Sequence, residues 1–483
     1  MKLSFPLGLA LLVSLLCGPA LAQEAGGQNG GSPDWSALTR ADLDAAADLI
    51  RDNHPAMVPE VGDTGFTARF DASLAKAEAR VPQVVDADGL AATLRGFASG
   101  LGDDHIVWAP KSGLPVKAWP GFMVVRRGGD LVVTTTGPDG PPTGARLLAC
   151  DGVPADALLL QRTADRVPDP DIAAQLVLNS IWVVLDDGNP FIPRPRQCRF
   201  DAEARAVDVT LSYRPVTAED FARIRDGRRL VGRAGFGVRA VGDARWIAVQ
   251  SFGDEAPAVV EAARARQAEL RAAPLVVIDL RGNGGGNSRY GDQLAEIVLG
   301  EEPLRALDAA TSGVTCPAVW RASPGNRRTL DLYAERFPDS ADYWRSEAAA
   351  MDAALAAGRP LTGSIAGCQV ETRPAAPPPH PLFAGTLVVV TDAACFSSCT
   401  LVVGRLRALG AIQVGAATNA PTRYMEVRSI DLPSGLGGFS TLQKAAMASP
   451  PLVGPFAPDI PYAGDIADTA ALEAWLPAAI EGR

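Results

Sequence analysis

Two apolar runs constrain this chain more than any other feature: LVVIDL (275–280) and TLVVVT (386–391). Neither alternates between apolar and polar residues. A strand that shows water one face must alternate, so these two call for cover on both faces. Helical patterns supply it, at 256–271, 288–299 and 398–409, after a further strand pattern, WIAVQSF, at 246–252. Alternation of buried strands with helices predicts an α/β core built on a mostly parallel sheet. Ligands of such sheets bind beyond the carboxyl ends of the strands. Both runs are followed there by loops of small residues.

The rest of the chain divides around this core. Its 483 residues are enough for about three domains. Residues 34–110 carry apolar positions at helical spacing and predict an N-terminal helical region, in which His54, before Pro55, reads as a cap or packing residue. Residues 112–220 change to short alternating strands with Gly/Asp turns. The core is expected over 228–483, interrupted by a Pro/Ala/Arg-rich insertion at 303–380. At the amino end, Lys2, an apolar stretch over 7–16 and Ala20-Leu21-Ala22 have the order of a secretory signal peptide, giving a 1–22 leader, a Gly-rich flexible linker at 23–33, and an exported, periplasmic or secreted product. No later apolar run is long enough to span a bilayer.

A net charge of -10 with no long basic run argues against a nucleic-acid partner. Without Cys17 six cysteines remain, an even number in an oxidising compartment. Cys316 with Cys368 could close the insertion, and Cys395 lies four residues before Cys399. With three histidines and no zinc-type spacing, no metal site and no organic cofactor is expected.

The loop DLRGNGGG (279–286) leaves a strand and enters a helix, where glycines let a ligand approach free N–H groups. It lacks both nucleotide-binding glycine signatures, and its spacing is equally that of an oxyanion hole. The loop TDAACFSSC (391–399) also joins a strand to a helix. A serine there is either a helix N-cap or a nucleophile presented at the sheet edge.

Taken in order, GLGDDHIVW (100–108), IDLRGNGGG (278–286), VVVTDAACFSSCTLVVGRLRALGAIQVG (388–415) and APDIPY (457–462) resemble the C-terminal-processing (tail-specific) serine peptidase family and its tricorn-like relatives. The segment GARLLACDGVPADALLLQ (144–161) is similar to half of a PDZ domain, which takes an extended peptide by strand addition. The resemblance implies a crotonase-like peptidase core with a PDZ-like domain over 112–220. It makes Ser397 the nucleophile, with Gly284, Gly285 and the Ser398 N–H forming the oxyanion hole.

The lysine-dependent branch of that family would put its base near 422, but Thr422 and Arg423 stand there and Lys444 lies in another segment. The tricorn-like branch uses a histidine, which implies His105 as general base. Its orienting acid should precede the Pro-Asp strand, where SPPLVGPFA (449–457) holds none. Glu426 and Asp459 are possible substitutes, Asp103 and Asp104 read as shaping the His105 loop, and the third catalytic member stays unassigned. The expectation is an exported serine endopeptidase acting on unfolded or C-terminal polypeptide segments. The alternative is a peptide- or ligand-binding module that has lost catalysis on the same fold.

Overall fold

A computed structural model describes residues 33–112, 116–138, 140–228, 231–311, 316–366, 368, 382–447 and 454–482. The leader and most of the Gly-rich segment lie outside the described residues, as does His380.

The two apolar runs form adjacent parallel strands, Leu275–Asp279 and Thr386–Thr391, at the centre of a six-stranded sheet. Ala244–Val249 flanks them on one side, and Ile412–Gly415 followed by Ile460–Pro461 on the other, all parallel. Phe236–Val241 closes one edge antiparallel. Helices Ala256–Ala265, Arg289–Leu299 and Ser398–Ala408 cover one face through Val259, Leu294, Val298, Val402 and Leu406. Thr469–Glu481 covers the other, with Leu472 and Leu476 against Trp246, Val277 and Val388. The absence of alternation therefore has its expected cause: both sides of these strands are buried.

Residues 118–215 hold a separate antiparallel sheet, with Phe122–Arg127, Asp130–Thr136, Arg146–Cys150, Gln197–Ala202 and Arg205–Thr210 in that order. The Cys150–Cys198 disulfide joins two of its neighbouring strands.

Helices Trp35–Asn53, Thr64–Arg80 and Ala87–Ser99 begin at Asp34, Asp63 and Asp86, whose carboxylates accept the N–H three residues on. They do not make a core of their own. Leu43, Ile50, Phe70, Leu94 and Phe97 pack on Phe439, Leu442 and Ala445 of the distant strand Gly437–Ala446. That strand pairs with Tyr424–Asp431, Ala318–Trp320 and Trp108–Pro110. His54 is buried, accepts the Ala56 N–H at Nδ1 and stacks on Phe66 at 4.2 Å, the capping and packing role its position before proline suggested.

Within the insertion, Pro324–Arg336 and Ala341–Ala356 form a helical pair around Trp320, Tyr333, Trp344 and Met351. Cys316 and Cys368 are disulfide-bonded across it. Among the described residues no helix is long and apolar enough to cross a membrane.

Candidate active site

Because their strands are neighbours, the glycine loop and the serine loop leave the sheet side by side. Asp392 fastens them together. Its buried Oδ2 accepts the Gly282 and Gly232 N–H groups at 3.0 and 2.7 Å, and its Oδ1 accepts the Ala394 N–H at 3.0 Å. Burial pushes this carboxyl up to about 7, although the three donors pull the other way. Beneath the loop, Asp279 and Arg281 form a fully buried ion pair at 2.7 Å, and Arg281 also donates to the Ile466 carbonyl and the Thr469 hydroxyl.

Ser397 has φ 55° and ψ -127°. A non-glycine residue holds such a conformation only where its surroundings over-determine it, and a sharp strand-to-helix turn that presents a nucleophile is one such place. The Ser397 carbonyl accepts both the Thr400 N–H at 3.0 Å and the Thr400 hydroxyl at 2.6 Å. The Cys395–Cys399 disulfide brackets the turn. Ser397 stands at the N-cap of Ser398–Ala408, yet its side chain caps nothing. Its hydroxyl makes no hydrogen bond among the described residues, and the residue is partly exposed. The Ser398 hydroxyl, by contrast, is buried and donates to the Gly286 carbonyl at 2.5 Å.

Gly285 lies against this turn. A Cβ there would stand 2.9 Å from the Ser397 Cβ and 3.1 Å from the Ser398 nitrogen, and its φ is +109°. Its N–H already donates to Asn283 Oδ1 at 2.8 Å. Of the three donors expected for an oxyanion, the Gly284 and Ser398 N–H groups are the ones with no partner among the described residues. Gly285→Ala is expected to displace the Ser397 turn and lower kcat at least about tenfold, with a stability loss on the order of 1–3 kcal/mol. Steady-state kinetics beside thermal unfolding checks this; unchanged kcat would mean that the close approach is incidental.

His105 sits in the loop after Ala87–Ser99, with its side chain 9% exposed. Its Nδ1 lies 2.8 Å from Asp103 Oδ1, which also accepts the His105 backbone N–H at 2.9 Å. Asp103 Oδ2 accepts the Thr422 hydroxyl. Burial opposes charge on Asp103, but His105 and these hydrogen bonds outweigh it and hold the carboxyl below its usual range. A carboxylate at Nδ1 accepts a hydrogen bond from the ring N–H, which keeps the proton on Nδ1 and leaves Nε2 as the basic nitrogen. The imidazole packs on the ring of Phe396, the residue before Ser397, at 4.3 Å between centroids. No hydrogen bond joins Ser397 to His105.

Asp104 reaches the serine loop from the same segment. Its Oδ2 accepts Asn419 Nδ2 at 2.6 Å, and the Asn419 N–H donates to the Cys395 carbonyl at 2.9 Å. Burial raises the Asp104 carboxyl to about 6.

The other acids considered from sequence lie elsewhere. Asp459 pairs with Arg407 and accepts the Gln413 N–H. Glu426 is buried at φ 64°, beside Gln443, with burial pushing its carboxyl up to about 8. Lys444 points into the insertion, donating to the Tyr343 hydroxyl at 2.9 Å and lying over the Trp320 ring. Thr422, at the register of the absent lysine, holds Asp103 instead. The Asp103 contact went unread in the sequence, although its signal, an acid two residues before the histidine, was present. Among the described residues no group of three or more His, Cys, Asp or Glu could hold a metal ion.

Residues 245–447 match peptidase family S41. No curated protein matches the chain. Among solved structures, mature CPAF is similar over 92% of this chain and 96% of its own, with 14% identity and a TM-score of 0.57. CPAF complexed with lactacystin is similar over 93% of this chain and 99% of its own, at 13% identity and a TM-score of 0.55. The photosystem II D1 C-terminal processing protease aligns over 88% of this chain and 93% of its own, at 14% identity and a TM-score of 0.32. At these identities the CPAF likeness carries the fold.

Proposed function

We propose that the chain, whose residues 245–447 match peptidase family S41, is a serine peptidase of the C-terminal-processing kind with Ser397 as its nucleophile and His105 as its general base. The observation that carries this reading is the uncapped Ser397 hydroxyl at a positive-φ turn whose preceding residue, Phe396, packs on a histidine that a carboxylate orients.

In the proposed reaction, His105 Nε2 takes the proton as Ser397 Oγ attacks a peptide carbonyl. Asp103 keeps the Nδ1 tautomer and stabilises the imidazolium. The Gly284 and Ser398 N–H groups receive the oxyanion, a contribution worth about 3 kcal/mol per donor in comparable sites. The imidazolium then protonates the leaving amine, and water hydrolyses the acyl-enzyme by the same route reversed. Phe396 shields one face of the imidazole from water.

The substrate in this reading is unfolded or C-terminal polypeptide, cut in an exported compartment. The disulfides are compatible with such a compartment. The antiparallel sheet of 118–215 serves as the PDZ-like unit and the six-stranded sheet as the crotonase-like core. A histidine base places the chain with the tricorn-like branch.

Lys444→Ala separates this mechanism from a lysine dyad. Its packing on Trp320 and Tyr343 predicts some loss of stability, with kcat for a denatured protein substrate within about twofold of the parent. Loss of turnover in a folded Lys444→Ala protein, with His105→Gln still active, would reverse the assignment.

A further inference from the structure

A groove of about 240 Å³ opens beside His105, between helix Ala87–Ser99, strand Trp108–Pro110 and the segment that contains Arg166 and Asn179. Asp104, Ile106 and Val107 line it, so it begins within two residues of His105 on either side. Val107 is 46% exposed.

The strand at its wall is an edge. Trp108–Pro110 pairs only with Gly437–Ala446 among the described strands, and Trp108 faces Phe439. The Val107 carbonyl accepts the Ser440 N–H, and the Lys111 N–H reaches the Leu436 carbonyl. Backbone direction alternates along a strand, so the Trp108 N–H and C=O face the open side. An extended chain can add there.

The groove's charge is specific. Arg95 and Arg166 both bind the single carboxylate of Asp187, and their side chains remain 18% and 16% exposed. Burial and then the neighbouring Arg95 push the Arg166 guanidinium down to about 9, against the pull of Asp187 and Asp165. The other acids here are engaged: Asp165 is held by Arg80 and Lys76, and Asp104 by Asn419. Ser99, also on the groove wall, is 6% exposed and its hydroxyl is unpartnered among the described residues.

We propose that this groove is a substrate subsite, in which an extended polypeptide adds along Trp108–Pro110 and places an Asp or Glu side chain on Arg95 and Arg166. The inference rests on the proposed peptidase reading for the direction of the substrate. Because the groove continues past His105 to Pro110, it suits a chain that passes through, and the carboxylate it selects is a side chain. Bidentate guanidinium–carboxylate pairing gives such a site its selectivity.

The test is binding to the full chain carrying Ser397→Ala, so that it does not depend on turnover. Fluorescent decapeptides with amidated ends and one Glu in a Gly/Ser/Ala background are compared with their Gln counterparts, and with a Gln peptide bearing a free carboxyl end. The expected result is at least about tenfold tighter binding of the best Glu peptide than of either control. Arg166→Gln should remove that advantage. Because Arg166 also holds Asp187, exposed Val107 gives a second probe: Val107→Glu should weaken and Val107→Lys strengthen Glu-peptide binding. Equal binding of Glu and Gln peptides, preference for the free carboxyl end alone, or indifference to both Val107 changes would overturn the subsite. Selective binding to Ser397→Ala with no cleavage by the parent would defeat the peptidase reading and leave the subsite standing.

Discussion

Ser397→Ala should abolish hydrolysis of a denatured protein, with kcat/KM falling by about 10⁴-fold or more while the thermal midpoint stays close to that of the parent. The size of the effect follows from the chemistry: no other group at the turn can form the acyl-enzyme, since the Ser398 hydroxyl is buried and committed to the Gly286 carbonyl. The small effect on stability has the same origin, because the Ser397 hydroxyl holds nothing in the fold. Ser398→Ala should do the reverse. It strips the Gly286 carbonyl of its donor, costing about 1 kcal/mol of stability, and leaves the backbone N–H that serves the oxyanion in place. Kinetics and unfolding curves on both variants check the assignment. Activity surviving in Ser397→Ala and lost in Ser398→Ala would move the nucleophile by one residue.

Asp103→Asn should be the next most damaging change, lowering kcat by about 10³-fold or more with little change in KM. Asp103 Oδ1 meets both the His105 backbone N–H and the ring Nδ1. An Asn oxygen in that place keeps both bonds but removes the negative charge that stabilises the imidazolium, and an Asn NH₂ there donates to Nδ1, reverses the tautomer and leaves no base for Ser397. The ionised carboxylate is also a stability contribution with a defined sign. Its native pKa lies below the unfolded value, so the contribution is fully present above the unfolded pKa and is lost as pH falls through the native one. Asp103→Asn should therefore be less stable than the parent near neutrality and converge with it in acid. A near-parental kcat in Asp103→Asn would show that His105 is oriented by something else, or is not the base.

The sheet was legible because its signal is unconditional. Strands covered on both faces cannot alternate, and 275–280 and 386–391 do not. The serine turn was legible only through motif order, since a serine at a helix start usually caps it; the geometry that distinguishes Ser397, φ 55° and an uncapped hydroxyl, is invisible in composition. Asp103 was read as shaping the His105 loop, which its bond to the His105 N–H does, but its contact with the ring stayed hidden for a physical reason. Two adjacent acids before a histidine look alike in sequence, and only the fold turns Asp103 towards the imidazole and Asp104 towards Asn419. The same holds for Asp392, whose three N–H partners come from three separate segments. The N-terminal helices showed their spacing but not their partner, because the strand they pack on lies more than 300 residues away. Glu426 looked available as an acid and is instead enclosed beside Gln443.

The central claim is that Ser397 is a nucleophile activated by His105, and covalent labelling reads it directly. Treatment of the oxidised full chain with a fluorophosphonate probe, followed by peptide mapping, should place one adduct on Ser397, with labelling strongly slowed in His105→Gln and in Asp103→Asn but not in Lys444→Ala. An adduct on another serine, or no adduct on a folded and peptide-binding protein, would contradict it.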